Sequence, residues 1–330
     1  MEKLSRRILI LHGFSNVPEG NKLYNLGYDV VHLESPYTKI RIIGWMIGCF
    51  KIVKASKSND IIYCRYDFQA VMVYWICMMF GLRRSICCEN ILLKDKDTLI
   101  NHAVRFLYKK ALTSKKFHAS VTSPAYGEMV KKYLGGVNFK YVLIHDLFHG
   151  AWTGEKAEAQ ENSVFVGGSN GRDWPFMIEI VKHMPHVNFT FVMKRDAYDN
   201  YVKVLPPNVK AKTSIPLNDF MIEITRSSIV CLPIDTEAPA GLIVVFQAAG
   251  CGKMVIITKT VTSQEYVTEE RGCALNRKPE EWIDAINFYL KNKEIRQKKA
   301  KALYDFLCSQ CGKDKYVEGV QKLINLCDLD

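Results

Sequence analysis

The chain has 330 residues, 48% of them hydrophobic, with 45 Lys and Arg against 34 Asp and Glu and a net charge of +11. That length exceeds the usual size of one hydrophobic core, and the apolar content suffices for two. The charge implies an acidic partner, whether nucleic acid, anionic membrane or phosphorylated small molecule; the longest apolar run, Ala70 to Leu82, is too short for an uninterrupted bilayer-spanning helix.

Arg6 to Leu11 is a buried strand with no secretory pattern before it. His12-Gly13-Phe14-Ser15-Asn16 is a turn at its carboxyl end, Leu23 to Leu26 a short helix, and Tyr28 to Leu33 a second strand. Lys39 to Lys57 interleaves Ile42, Ile43, Trp45, Met46, Ile47, Phe50, Ile52 and Val53 with Lys39, Arg41, Lys51, Lys54 and Lys57, and contains no acidic residue. A basic amphipathic helix bearing Trp and Phe suits an anionic membrane surface. The alternative is a core helix with a basic solvent face.

Asp60 to Cys64 is a third strand, Phe68 to Phe80 an apolar helix, and Arg84 to Cys88 a fourth strand that ends at Glu89. A carboxylate just past a strand end can serve an acceptor hydroxyl, or it can cap the next segment. Asp95 to Lys116 is a basic helix, Phe117 to Thr122 a strand, and Ser123-Pro124 opens another helix as N-cap and first residue. Tyr141 to Ile144 then runs through His145 to Gly150 into a polar stretch ending at Asn162, which places a domain boundary near residue 150.

The second half restarts the pattern. Ser163 to Val166 is a strand, Gly167-Gly168-Ser169-Asn170-Gly171-Arg172-Asp173 a glycine-rich loop, and Trp174 to His183 a helix. Asn188 to Met193 is a strand ending at Lys194-Arg195-Asp196; Val209 to Lys212 is a short strand and Pro216 to Arg226 a helix. Ser228 to Thr258 then reads as strand, loop, small-residue helix and strand, a βαβ unit whose helix opens at Gly241. Gln264 to Val267, a strand at Gly272 to Leu275, a helix from Pro279 to Leu290 and a charged helical region from Lys293 complete the chain. Strands alternate with helices throughout, so the class is α/β with two doubly wound sheets.

In a parallel sheet, ligands bind outside the carboxyl ends of the strands. The first N–H groups of the helix at Gly241, with its dipole, favour a phosphate; a glycine present for steric reasons alone is the plainer reading. Arg172, Lys194 and Arg195 follow strands at the same edge, and their coincidence there favours a diphosphate site. The glycine-rich loop lacks the G-x-G-x-x-G spacing, and the strand after it ends in Lys194-Arg195 with no acidic residue, which disfavours a nicotinamide enzyme. The eleven cysteines are scattered apart from Cys87-Cys88 and Cys308-x-x-Cys311, which has no second pair to complete a zinc site. Reduced thiols in a cytosolic protein are expected.

Phe165-Val166-Gly167-Gly168 with Arg172-Asp173, then Lys194, Leu232-Pro233, Ala240-Gly241, Gln247 to Lys253 and Gln264 to Val267, resembles the nucleotide-sugar domain of GT-B glycosyltransferases. The likeness is nearest to glycosyltransferase family four, the retaining enzymes that often build capsule, exopolysaccharide or O-antigen. It covers roughly Ser163 to Leu290. It implies a GT-B fold of two Rossmann-like domains with a cleft between them, residues 1–150 for the acceptor and 151–330 for the donor, the last helix being a candidate to pack back on the first domain.

By the same resemblance Arg172 and Lys194 bind the donor diphosphate, while Gly241 and the N–H groups of Leu242 and Ile243 hold the distal phosphate. Gly13, Gly168, Arg195 and Ala240 belong to the same candidate donor set. Gln247 stands where the family usually carries a ribose-binding glutamate, and the glutamate that touches the donor sugar falls near Pro239, leaving Glu237 or Asp235 to substitute. His12 and Glu89 are the acceptor-side catalytic candidates. No metal is expected, because cationic side chains and the helix dipole neutralise the leaving diphosphate. The implied reaction moves a sugar from a UDP-linked donor to a glycan or polyprenyl-linked acceptor, with retention, on the inner face of the cell membrane, and no nucleic acid takes part. A nucleotide-sugar 2-epimerase and a non-catalytic partner subunit share the architecture and stay open. A nucleic-acid binder ranks last, for want of a base-stacking platform or recognition motif.

Overall fold

A computed structural model describes residues 6–12, 28–93, 98–155 and 157–328. The chain divides into two compact units, Met1–Asp146 with Lys313–Asp330, and Leu147–Gly312. The expected turn after the first strand and the helix at Leu23 to Leu26 lie outside the described residues.

In the first unit the elements run β1 (Arg7–His12), β2 (Asp29–Glu34), α1 (Arg41–Ala55), β3 (Ile61–Cys64), α2 (Asp67–Met79), β4 (Ser85–Cys88), α3 (Leu99–Leu112), β5 (Phe117–Val121), α4 (Pro124–Tyr133) and β6 (Tyr141–Leu143). All six strands are parallel, in the order β2-β1-β3-β4-β5-β6. β3 and β4 are buried along their whole length, as strands covered on both faces should be. At the amino ends of two neighbouring strands, Arg7 Nε donates to both carboxylate oxygens of Asp60 at 3.2 Å. Ser123 caps α4 as the sequence predicts, its hydroxyl accepting from Tyr126 N at 3.1 Å with Pro124 in the first turn.

The expected helix from Asp95 to Lys116 is shorter, beginning at Leu99 behind a Thr98 cap and ending at Leu112. The Thr113 hydroxyl turns back onto the Lys109 carbonyl there, and Ser114 N–H closes on Ala111 O. The basic run Lys115-Lys116 therefore leads into β5.

The second unit continues with β7 (Ser163–Gly167), α5 (Trp174–Lys182), β8 (Asn188–Met193), α6 (Arg195–Tyr201), β9 (Val209–Thr213), α7 (Leu217–Arg226), β10 (Ile229–Leu232), α8 (Leu242–Gly250), β11 (Met254–Thr258), α9 (Ser263–Tyr266), β12 (Cys273–Leu275), α10 (Pro279–Lys291) and α11 (Lys293–Gln310). Its parallel strands run β12-β11-β10-β7-β8-β9. Side chains alternate between the faces with the two-residue period of a strand. Phe165, Val230, Leu232, Val255 and Ile257 pack with α8 and α11, whereas Val164, Val166, Ile229, Cys231 and Ile256 pack with α5 and α10. α6 is a helix that no sequence pattern announces, since Arg195 to Tyr201 carries no buried residue.

The last helix, α12 (Lys313–Asn325), belongs to the first unit, where Tyr316 donates to Glu89 and Leu323 O accepts from the Cys87 thiol at 3.8 Å. All eleven cysteines are free thiols.

Candidate active site

Strand order fixes where the second unit can hold a ligand. From β7 the chain steps outward to β8 and β9, then returns to β10 on the other side of β7. The connections leaving β7 and β10 therefore diverge, and an open parallel sheet binds its ligands at the carboxyl ends of such a strand pair. The loops 168–173 and 233–241 leave β7 and β10 at this point. They are knitted together: Arg172 bridges Ile234, Asp173 N donates to Pro233 O at 3.1 Å, and Asp235 N donates to Gly171 O at 3.1 Å.

Arg172 lies between the two loops and is 8% exposed. Its Nε donates to Gly167 O at 2.7 Å and its Nη1 to Asn170 O at 3.0 Å. Among the described residues no carboxylate forms an ion pair with it. Burial pulls its pKa down to about 10, opposed by the charge of Asp235, so the guanidinium remains charged at neutral pH. A buried cation held by two carbonyls and offset only by the nearby, exposed Asp235 is costly, and an arriving anion lowers that cost.

The space beside this guanidinium exists because two residues lack side chains. Gly168, at φ 115°, would place a Cβ 2.4 Å from Arg172 Nη2. Gly241, at φ 83°, would place one 3.1 Å from Ile234 Cδ1 and 3.4 Å from Arg172 Nη1. Both are in the left-handed region, where glycine is favoured. Gly241 is the N-cap of α8 and brings no capping side chain, while its carbonyl accepts from Val244 N and Val245 N at 3.0 Å. The N–H groups of Leu242 and Ile243 have no carbonyl a turn earlier to bond. Arg172 and the positive end of α8 thus meet at one point.

The remaining donor-side candidates are placed less directly. Ala240 lies in the same loop, its Cβ 3.1 Å from where a Gly171 Cβ would stand. Gln247 is half-buried on α8, and Ile243 is exposed. Lys194 and Arg195 stand past the end of β8, next to β7, but their side chains turn along α6, Lys194 to Asp196 and Arg195 to Asp199, each at 3.0 Å. Glu237 Oε2 accepts from Val261 N at 2.8 Å, fastening the β10 loop to the one after β11.

In the first unit, His12 ends β1 and Gly13 lies outside the described residues. Glu89, just past β4, is buried: Tyr63 donates to Oε2 at 2.8 Å, Tyr316 donates to Oε1, and Arg65 Nε stands 3.3 Å from Oε2. Sequence reasoning missed these partners and also Arg277, which pairs with Asp173 at the cap of α5. Only the position of Arg277 just past β12 hinted at the latter.

Residues 172–311 match the family model described as glycosyl transferase-like. No curated protein matches the sequence. Solved structures do. A sucrose-phosphate synthase from Thermosynechococcus elongatus aligns over 98% of this chain and 99% of its own, at a TM-score of 0.78 and 13% identity. HepE of Anabaena in complex with UDP-glucose aligns over 97% and 99%, at a TM-score of 0.69 and 14% identity. A glycosyltransferase from Rickettsia africae aligns over 99% and 100%, at a TM-score of 0.64 and 12% identity. Residues 172–311 thus carry a glycosyl transferase-like segment, and the two parallel sheets share the GT-B fold of these solved structures.

Proposed function

We propose that the protein transfers a sugar from a UDP-sugar to a hydroxyl of a glycan or polyprenyl-linked acceptor, with retention, in cell-surface polysaccharide synthesis. The observation that carries the donor half is Arg172: buried, charged, without a carboxylate partner, and beside the N-terminus of α8. A diphosphate answers both features at once. The similarity to HepE, which was solved with UDP-glucose, supports uridine as the base.

In this reading the bond from the anomeric carbon to the β-phosphate oxygen breaks as the acceptor oxygen forms the new glycosidic bond, and the acceptor proton leaves with the diphosphate. Arg172 and the N–H groups of Leu242 and Ile243 stabilise the charge that grows on that diphosphate. Lys194 and Arg195 join them once they release Asp196 and Asp199. Gln247 hydrogen-bonds the ribose, and Glu237 or Asp235, the latter exposed beside Arg172, meets the sugar. His12 and Glu89 serve the acceptor. The acceptor's lipid portion places the enzyme at an anionic membrane surface, which the basic, apolar α1 supports. No helix among the described residues is long and apolar enough to cross a membrane.

The test is release of UDP or GDP from a panel of nucleotide sugars, with and without membranes carrying the lipid acceptor. The reading expects turnover of one UDP-sugar, stimulated by those membranes. Turnover confined to GDP-sugars, or none with any donor, contradicts it.

A further inference from the structure

In the first unit α1, α2 and α3 lie side by side: Trp45 on α1 meets Phe68 on α2 at 4.3 Å between ring centroids, and Trp75 on α2 donates to Leu107 O on α3 at 3.3 Å. α1 turns Gly44, Gly48, Cys49, Ile52 and Val53 inward. Its outward side carries Ile42, Ile43, Met46, Ile47 and Phe50, all exposed, between Arg41, Lys51 and Lys54. α1 is thus a helix packed on the core, as the alternative has it, but its solvent face is mostly apolar and only flanked by basic residues. Met78, Met79 and Phe80 at the end of α2 extend it, each more than half exposed.

Isolated exposed apolar residues are ordinary, but eight on adjoining helices are not. A gap of about 420 Å³ opens at the α1–α2 seam, walled by Phe50, Val53, Ile76, Phe80 and Leu82, with Lys54 and Arg84 also lining it. Arg84 is fixed there by its bonds to Ser56, Nε to Oγ at 3.0 Å. No Asp or Glu occurs from residue 39 to 59 or from 98 to 127.

We propose that the outer face of α1 and the exposed end of α2 dock this unit on an anionic bilayer, the α1–α2 gap receiving the upper part of one acyl chain and Lys54 and Arg84 its phosphate. The occupant follows from the chemistry of the face. Its apolar groups are flexible aliphatic, thioether and phenyl chains on a convex helix surface some ~22 Å long, the length of fifteen helical residues. Lysines among them keep their ammonium groups at headgroup level while their stems lie in the apolar layer. The charge is of one sign only, complementary to anionic lipid. This rests on the membrane reading above and names the surface responsible.

The full-length protein is sedimented with vesicles of phosphatidylcholine alone and of phosphatidylcholine mixed with phosphatidylglycerol, without donor or acceptor. The wild type is expected to bind only the mixed vesicles. Replacing Lys51, Lys54 and Lys57 together by Gln, all exposed, should weaken that binding about fivefold per charge, roughly a hundredfold in all. Ile47→Ser with Phe50→Ser should release the protein while leaving UDP affinity unchanged. Wild-type sedimentation by both variants overturns the assignment of this face and leaves the membrane reading standing. A wild type that ignores both vesicles removes the membrane reading as well. Equal binding to neutral vesicles overturns the headgroup assignment.

Discussion

At the scale of single residues the account turns on a cation and a glycine. Giving Gly241 a side chain should hurt twice, because its φ of 83° disfavours any L-residue and the new Cβ would stand 3.4 Å from Arg172 Nη1. Gly241→Ala should cost about 1 kcal/mol of stability and weaken UDP binding further, which thermal melts with and without UDP can separate. Lys194→Ala should cost only a few-fold in UDP affinity by titration, since its exposed ammonium must leave Asp196 before it can serve a phosphate. That Arg172 and Gly241 each follow a strand at the carboxyl edge of one sheet was legible in the sequence, because both come after short apolar runs; that the two strands are neighbours was not. The turning of Lys194 toward Asp196 was not. It depends on where α6 begins, and α6 has no apolar stripe to announce it. Glu237 was out of reach for a different reason, its partner being a backbone N–H 24 residues on.

At the scale of elements, each unit is held by polar contacts that sequence patterns do not carry. Glu89 gathers Tyr63 from β3, Arg65 just beyond it, and Tyr316 from α12, 227 residues away. Glu89→Gln keeps the shape but removes the charge that Arg65 faces, and should lower stability by roughly 2–3 kcal/mol in denaturant unfolding. If Glu89 also serves the acceptor, transfer by the folded variant should fall further than its lost stability explains; full transfer activity would contradict that role. Helix and strand positions were largely readable, because continuous β-branched runs and 3.6-residue spacing are local signals. The ends were less so: α3 closes at Leu112, where hydroxyls and carbonyls of the last turn satisfy one another, although the basic run continues.

At the scale of the whole molecule, acid sensitivity should report the edge of the first sheet that lies away from the strands' carboxyl ends. Burial pushes Asp60 up, but the Arg7 guanidinium and the Lys57 N–H outweigh it and hold its carboxyl below the usual value. A depressed carboxylate contributes stability above its unfolded pKa, near 4, that is lost as pH falls through the folded value. Denaturant midpoints should therefore decline below about pH 4, and Asp60→Asn should flatten that decline at a cost of roughly 1–2 kcal/mol at neutral pH. The alternation of strand and helix made two doubly wound sheets readable from composition and order alone. The strand order, with β10 returning beside β7, was not readable, and it is this that brings the two loops together.

The measurement that tests the central claim most directly is a calorimetric titration of UDP into the wild type and Arg172→Ala. If Arg172 awaits a diphosphate, the wild type binds UDP and the variant binds it about 30- to 100-fold more weakly, the worth of a buried charge-assisted contact to phosphate. Equal affinities would contradict the account, because the buried guanidinium would then answer to something other than the donor.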